Sequence, residues 1–141
     1  MRENEFRGKH IHAMDVNKHL DGTWVYGYLS ADNYINSSVY IGEIMVAPET
    51  VGRYTCKCDI SGQEVFEGDI IESHIGGQVL TNNLVIRYGV YQAYCPIDKC
   101  FMDSVGFYAS GKNLPDMPIG RLEEYAKVIG NIIDNPELVN W

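Results

Sequence analysis

No stretch of this sequence approaches the run of about 18 apolar residues that a membrane-spanning helix needs, so no membrane partner is expected. The opening, MRENEFRGKHIH, is polar and has no apolar core of a secretory signal, which makes the cytosol the expected compartment, with thiols kept reduced. Basic residues are scarce: 11 Lys and Arg stand against 19 Asp and Glu, for a formal net charge of −8. Duplex DNA is bound largely by neutralising phosphates with Lys and Arg, so no duplex DNA partner is expected. The acidity divides as −3 over residues 1–66 and −5 over residues 67–141, which is neither an acidic tail nor a DNA mimic, and serves solubility. A Gly-x-x-x-x-Gly-Lys phosphate loop, a Gly-x-Ser-x-Gly elbow and a His-Glu-x-x-His pair are all missing. So are internal repeats and any sustained i, i+3, i+4 pattern of a long helix. No catalytic residue and no cofactor can be assigned.

What is present is β-structure nearly throughout 141 residues, enough for one domain or two small subdomains. GTWVYGYLS puts Trp24, Tyr26 and Tyr28 on one strand face and Val25, Gly27 and Leu29 on the other, after an Asp21-Gly22 turn. SVYIGEIMV alternates from Ser38, Pro48 to Val51 has the form of one helical turn, and GRYTC resumes as a strand. Val65 to Ser73 is a strand interrupted at Gly68. LVIRYGVYQAYC reads as a hairpin pivoting near Gly89, SVGFYAS as a weaker strand, and residues 111–118 as a loop. RLEEYA is a single helical turn, KVIGNI a last strand, and Asn135-Pro136-Glu137-Leu138 a capped turn. Strands at 8–12-residue spacing, about five of them after Gly68, suggest a small barrel. The expected fold is α+β, mainly β: an N-terminal antiparallel β segment over residues 1–66, then an SH3-like small β-barrel over 67–141, forming one compact unit.

Four constellations carry possible chemistry. Glu67 and Asp69, two apart in a strand, would share a face and could hold a metal or act as an acid and base. Alternatively Gly68 supplies a kink and Asp69 bonds nearby amides. With no His or third carboxylate at a recognisable spacing, the structural reading is preferred. Cys56, Cys58, Cys95 and Cys100 could bind zinc, but C-x-C and C-x4-C are not the usual C-x2-C knuckles, so no metal site is assigned. His10 and His12 would share a strand face, with His19 further on, but no third ligand stands at a known spacing, and nothing ties His74 to a thiol. The row Trp24, Tyr26 and Tyr28 suits a core, a stacking platform for single-stranded nucleic acid, or an interaction surface.

VGRYTCKCDISGQEVFEGDII, from Val51 to Ile71, resembles the signature of the YopX family of phage and prophage proteins, Q-Y-T-G-L-K-D-K-N-G-K-E-I-Y-E-G-D-I-V. Tyr54, Thr55, Asp59, Gly62, Glu64, Glu67, Gly68, Asp69 and Ile70 match in order. KVIGNIIDNPELV is similar to the family's E-V-I-G-N-I-Y-E-N-P-E-L-L, matching at Val128, Ile129, Gly130, Asn131, Ile132, Asn135, Pro136, Glu137 and Leu138. The opening FRGKHIH…GTWVYGYL resembles one common form of the family's N-terminus; residues 73–125 carry no such match. Cys56 stands where the family pattern has Gly, and Cys58 where it usually has Lys or another polar residue. The resemblance implies an origin in phage or integrated prophage and action in a bacterial cytoplasm, with no catalytic residues to carry over. EGDII is expected to enter the small barrel and VIGNI to close it. The expected function is that of a non-catalytic accessory module binding a host or phage protein or a second copy of itself. A metal-dependent enzyme built on Glu67 and Asp69, and a single-strand nucleic-acid binder, are the alternatives.

Overall fold

Glycines and short polar links cut the chain into twelve strands among the residues described, joined by one α-helix of four residues and two 3-10 turns. The computed structural model describes residues 5–11, 22–31, 33–37, 43–80 and 82–139. It divides into two compact units, Met1–Tyr54 and Thr55–Trp141. Among the described residues no helix is long and apolar enough to cross a membrane.

In unit one, β1 (Phe6–Lys9), β2 (Trp24–Ala31), β3 (Tyr34–Asn36), β4 (Glu43–Met45) and the start of β5 (Gly52–Cys58) form an antiparallel sheet in the order β4-β3-β2-β1-β5. Alternation decides which face is inward. Val25, Ile35, Ile44 and Val46 are fully buried together, with Leu29 and Val51 against them. Gly27 lies between Val25 and Leu29 because a Cβ there would collide with the Asn36 carbonyl oxygen. The expected turn at Pro48 is a 3-10 turn over Pro48–Thr50. The Thr50 hydroxyl ties it to β1, accepting from Lys9 N–H at 2.8 Å and donating to Ala47 O at 2.6 Å. Of the strand expected from Ser38, only Glu43 onward falls within the described residues.

In unit two, the rest of β5 pairs with β6 (Glu64–Phe66). The main sheet takes β7 (Asp69–Ile75), β9 (Leu84–Cys95), β10 (Cys100–Gly111), β11 (Met117–Pro118) and β12 (Ala126–Asn131) in the order β11-β10-β9-β7-β12, with β8 (Gln78–Val79) folded back on β7. A turn of helix, α1 (Leu122–Tyr125), leads into β12. Asp69, Ile70 and Ile71 are all buried, as a central strand requires. Ile71, Leu84, Ile86, Leu122 and Ala126 form the heart of this core. Each large side chain fully buried there contributes about 1.5–3 kcal/mol.

Two expectations need correction. No closed barrel is found among the described residues: β11 and β12, at the two ends of the sheet, are not paired. β11 has only two residues and one is Pro118, which lacks a backbone donor, so it cannot continue the ladder. Nor does the chain turn at Gly89. Leu84 to Cys95 is one strand, Cys100 to Gly111 is its partner throughout, and the turn is Pro96–Lys99, where Lys99 takes φ 53°. Gly89 instead lies opposite Gly106, and the stacked rings of Tyr91 and Tyr108, 4.8 Å between centroids, are the diagonal neighbours of that pair.

Candidate functional site

The EGDII signature begins at a turn. Glu67 and Gly68 link β6 to β7, and Asp69 is the first residue of β7, so the two carboxylates do not share a strand face. Asp69 is buried, and its Oδ2 accepts from Phe66 N–H at 2.7 Å. Gly68 has φ 93°, open to glycine and strained for other residues. Its N–H donates to Ile86 O at 2.7 Å and its carbonyl accepts from Ile132 N–H at 2.9 Å. One turn residue thus bonds both the strand β9 and the residue that follows β12.

VIGNI lies directly beside EGDII. Gly130 pairs with Ile70 and Asn131 with Asp69, after a bulge between Val128 and Gly130. A Cβ on Gly130 would fall 2.5 Å from Asn135 Oδ1. Asn131 Oδ1 accepts from Ile133 N–H at 3.0 Å and Asp134 N–H at 2.8 Å, and Asn131 N–H donates to Asn135 Oδ1 at 3.3 Å. Pro136 then opens a 3-10 turn, Pro136–Val139, whose Leu138 carbonyl accepts from Asn83 Nδ2 at 2.9 Å.

Asp59 joins the two signatures. It is buried, and its Oδ1 accepts from Ser61 Oγ at 2.7 Å, Ser61 N–H at 2.9 Å and Gln63 N–H at 3.0 Å. Its Oδ2 accepts from Val128 N–H at 3.0 Å. Burial by itself raises the carboxyl's pKa; the bonds from the Ser61 hydroxyl and the Val128, Gln63 and Ser61 amides outweigh it and hold the pKa below the ordinary aspartate value. The motif match included Asp59, but its role was hidden because Val128 lies 69 residues away. Upstream, Tyr54 is buried and donates its N–H to Glu5 O at 2.7 Å. Thr55 Oγ donates to Val65 O at 2.7 Å. Gly62, at φ 88°, completes the turn that Asp59 caps.

The aromatic row of β2 faces away from the unit-one core. Tyr26 is exposed, and Trp24 and Tyr28 are half-buried. Cross-strand register sets Lys9 opposite Trp24 and Arg7 opposite Tyr26. The Arg7 guanidinium lies 4.7 Å from the Trp24 ring centroid and the Lys9 ammonium 5.8 Å, within cation–π range. His10 is buried and bridges to Val46, while His12 and His19 lie outside the described residues.

Cys95 and Cys100 face each other across the end of the β9–β10 hairpin, and Cys56 and Cys58 flank Lys57 on β5. All four are free thiols. His74 pairs with Glu72, Nε2 to Oε1 at 2.9 Å. Among the described residues no group of three or more His, Cys, Asp or Glu is placed to hold a metal.

Sequence reasoning missed a groove of about 520 Å³ in unit two. Leu84 and Ala109 form its floor; Ile75, Leu80, Leu114 and Met117 its walls. Its remaining described lining, Ser73, Asn82, Pro118 and Tyr125, includes no charged side chain. Tyr125 is committed elsewhere: its hydroxyl donates to Ile119 O at 2.6 Å, and burial raises its pKa. Five segments of the chain assemble this groove, and no periodicity within one of them signals it. A family model described as YopX protein matches residues 6–140, nearly the whole chain. No curated protein matches it.

Proposed function

The chain belongs to the YopX family, and on that premise we propose that it is a phage- or prophage-derived accessory protein of the bacterial cytoplasm that binds another protein without catalysing a reaction. The observation that carries this reading is the groove of unit two. Its walls are apolar side chains, several of them exposed, and none of its described lining residues is a carboxylate, imidazole, thiol or amine. Such a lining fits an apolar anchor side chain from a protein segment and offers nothing to activate a nucleophile. The signature carboxylates support the same side of the argument, because Asp69 and Asp59 spend their lone pairs on backbone amides.

The finer, SH3-like classification of unit two belongs to this proposal. It is supported by the run of antiparallel strands in the order β11-β10-β9-β7-β12, with a helical turn before the last strand and that strand beside the first. Docking is a common use of such folds, which is an analogy of fold and not of site. The row Trp24, Tyr26 and Tyr28 is a second surface for the same role, supported by its outward orientation and by the two cations at Trp24.

The test is capture from phage-infected bacteria, followed by reconstitution with the purified captured protein. Binding is expected to be stoichiometric and to fall at least about tenfold in Leu80→Glu, which places a charge on the exposed groove wall. Retention of full affinity in a folded Leu80→Glu would remove the groove from the function. Loss only in Trp24→Ala would transfer it to the β2 row.

A further inference from the structure

We infer that the β9–β10 ribbon is a self-association arm that packs face to face on the same ribbon of a second copy of this chain. Among the described residues, other strands hold only the base of the hairpin: Leu84 and Val85 pair with β7, and Tyr108 and Ala109 with β11. Among the described residues, β9 and β10 pair from Arg87 to Phe107 with each other and with no third strand; Phe107 packs against the unit-two core at the base, and no residue of that span is buried. A two-stranded ribbon in water is marginal on its own, so one this long needs a covering surface.

Its two faces differ. On one, Tyr91 stacks on Tyr108, and the ribbon covers part of itself. The other carries the cross-strand pairs Tyr88–Phe107, Val90–Val105, Gln92–Asp103 and Tyr94–Phe101. The aromatic pairs meet edge to face, 4.9 and 5.4 Å between centroids, and Gln92 Nε2 donates to Asp103 Oδ1, so the one polar pair is satisfied within the stripe. Val90 is 66% exposed, Val105 73%, and Ile97 at the tip 91%. An isolated surface apolar residue is ordinary, but a continuous stripe of this size marks an interface.

Area and charge identify the occupant. With large apolar side chains offering about 150–250 Å² each, the exposed parts of this stripe and its tip come to roughly 800 Å², the amount each partner contributes to a standard-sized interface. The whole chain carries −8, yet residues 87–107 are neutral, with Arg87 and Lys99 balancing Asp98 and Asp103. A second copy can therefore approach along this arm without the repulsion it meets elsewhere. A stripe built from like pairs is also self-complementary, as a two-fold interface requires, and two such faces pack about 10 Å apart. A lipid surface is the poorer fit, since the arm lacks a basic fringe. None of the stripe's residues is among those described as lining the groove.

Sedimentation equilibrium of the full chain reads the result. A dimer is expected at about 50 µM, dissociating on dilution to about 1 µM or below. Val90→Lys and Val105→Lys each introduce a charge at an already exposed position; both are expected to stay folded by near-ultraviolet circular dichroism and to weaken dimerisation at least about tenfold. Val79→Lys, an equivalent change on β8 outside the ribbon, is expected to leave the dimer intact. A wild-type monomer at about 100 µM overturns the inference and leaves the stripe to a different protein. So does a dimer unaffected by folded Val90→Lys and Val105→Lys, or one that Val79→Lys disrupts equally.

Discussion

Cys56 sits in the middle of β5 with φ 65°, a left-handed conformation that costs a side-chain-bearing residue about 1–2 kcal/mol. The family signature has Gly at this position, and the backbone angle supplies the reason. Cys56→Gly is expected to raise stability by about 0.5–1 kcal/mol after its own entropy cost, and Cys56→Val to lower it by about 1 kcal/mol, read from urea midpoints. The opposite order would mean that the thiol, not the angle, fixes the position. Asp59 gives a second prediction at this scale. Asp59→Asn replaces one acceptor oxygen by a donor among Ser61, Gln63 and Val128, and should cost about 1–3 kcal/mol at pH 7. Its folded pKa is lowered, so the carboxylate's contribution is fully present above the unfolded value of about 3.9 and is lost as pH falls through the folded value. The gap between wild type and Asp59→Asn should therefore narrow at pH 3; a gap unchanged between pH 7 and pH 3 would show that the charge is not what those amides hold. The sequence marked Asp59 as part of a motif but could not reveal its function, because three of the groups it bonds are local and the decisive one is on β12.

Among the elements, strands with clean alternation and turns with distinctive residues were legible, and elements defined by distant pairing were not. Val25 against Trp24 and Tyr26 was readable from period two alone. EGDII and VIGNI were legible as a pair only through the family resemblance; the local backbone demands that Gly68, Gly130, Asn131 and Pro136 answer emerge from the structure. Gly89 misled because glycine in an alternating run has the same appearance whether the chain reverses or continues; only the facing Gly106 and the Tyr91–Tyr108 stack reveal that it continues. Gly68 is the turn whose failure should be most visible. Gly68→Val forces a β-branched residue to φ 93° in a turn bonded to Ile86 and Ile132, and should cost about 1–3 kcal/mol, with a lower thermal midpoint. An unchanged melting curve would mean that the turn relaxes freely and that EGDII is kept for something other than structure.

Across the whole molecule, charge and core placement set different expectations. A net charge of −8 predicts no gel shift with duplex DNA at physiological salt, and a sub-micromolar complex surviving such salt would contradict it. The division into Met1–Tyr54 and Thr55–Trp141 leads to a sharper test. Unit two contains its own sheet, its own eight-residue buried cluster and both ends of the Asp59 network, which closes entirely within residues 59–128. Its length is within the range that folds without disulfides or metals. Unit one buries a described cluster of four side chains, and its strand β1 pairs with the first residues of β5. Residues 52–141 expressed alone should therefore unfold cooperatively and keep near-ultraviolet dichroism from their tyrosines. If residues 52–141 lack a cooperative transition while the full chain has one, the core of unit two is insufficient by itself, and the signature network requires unit one to form.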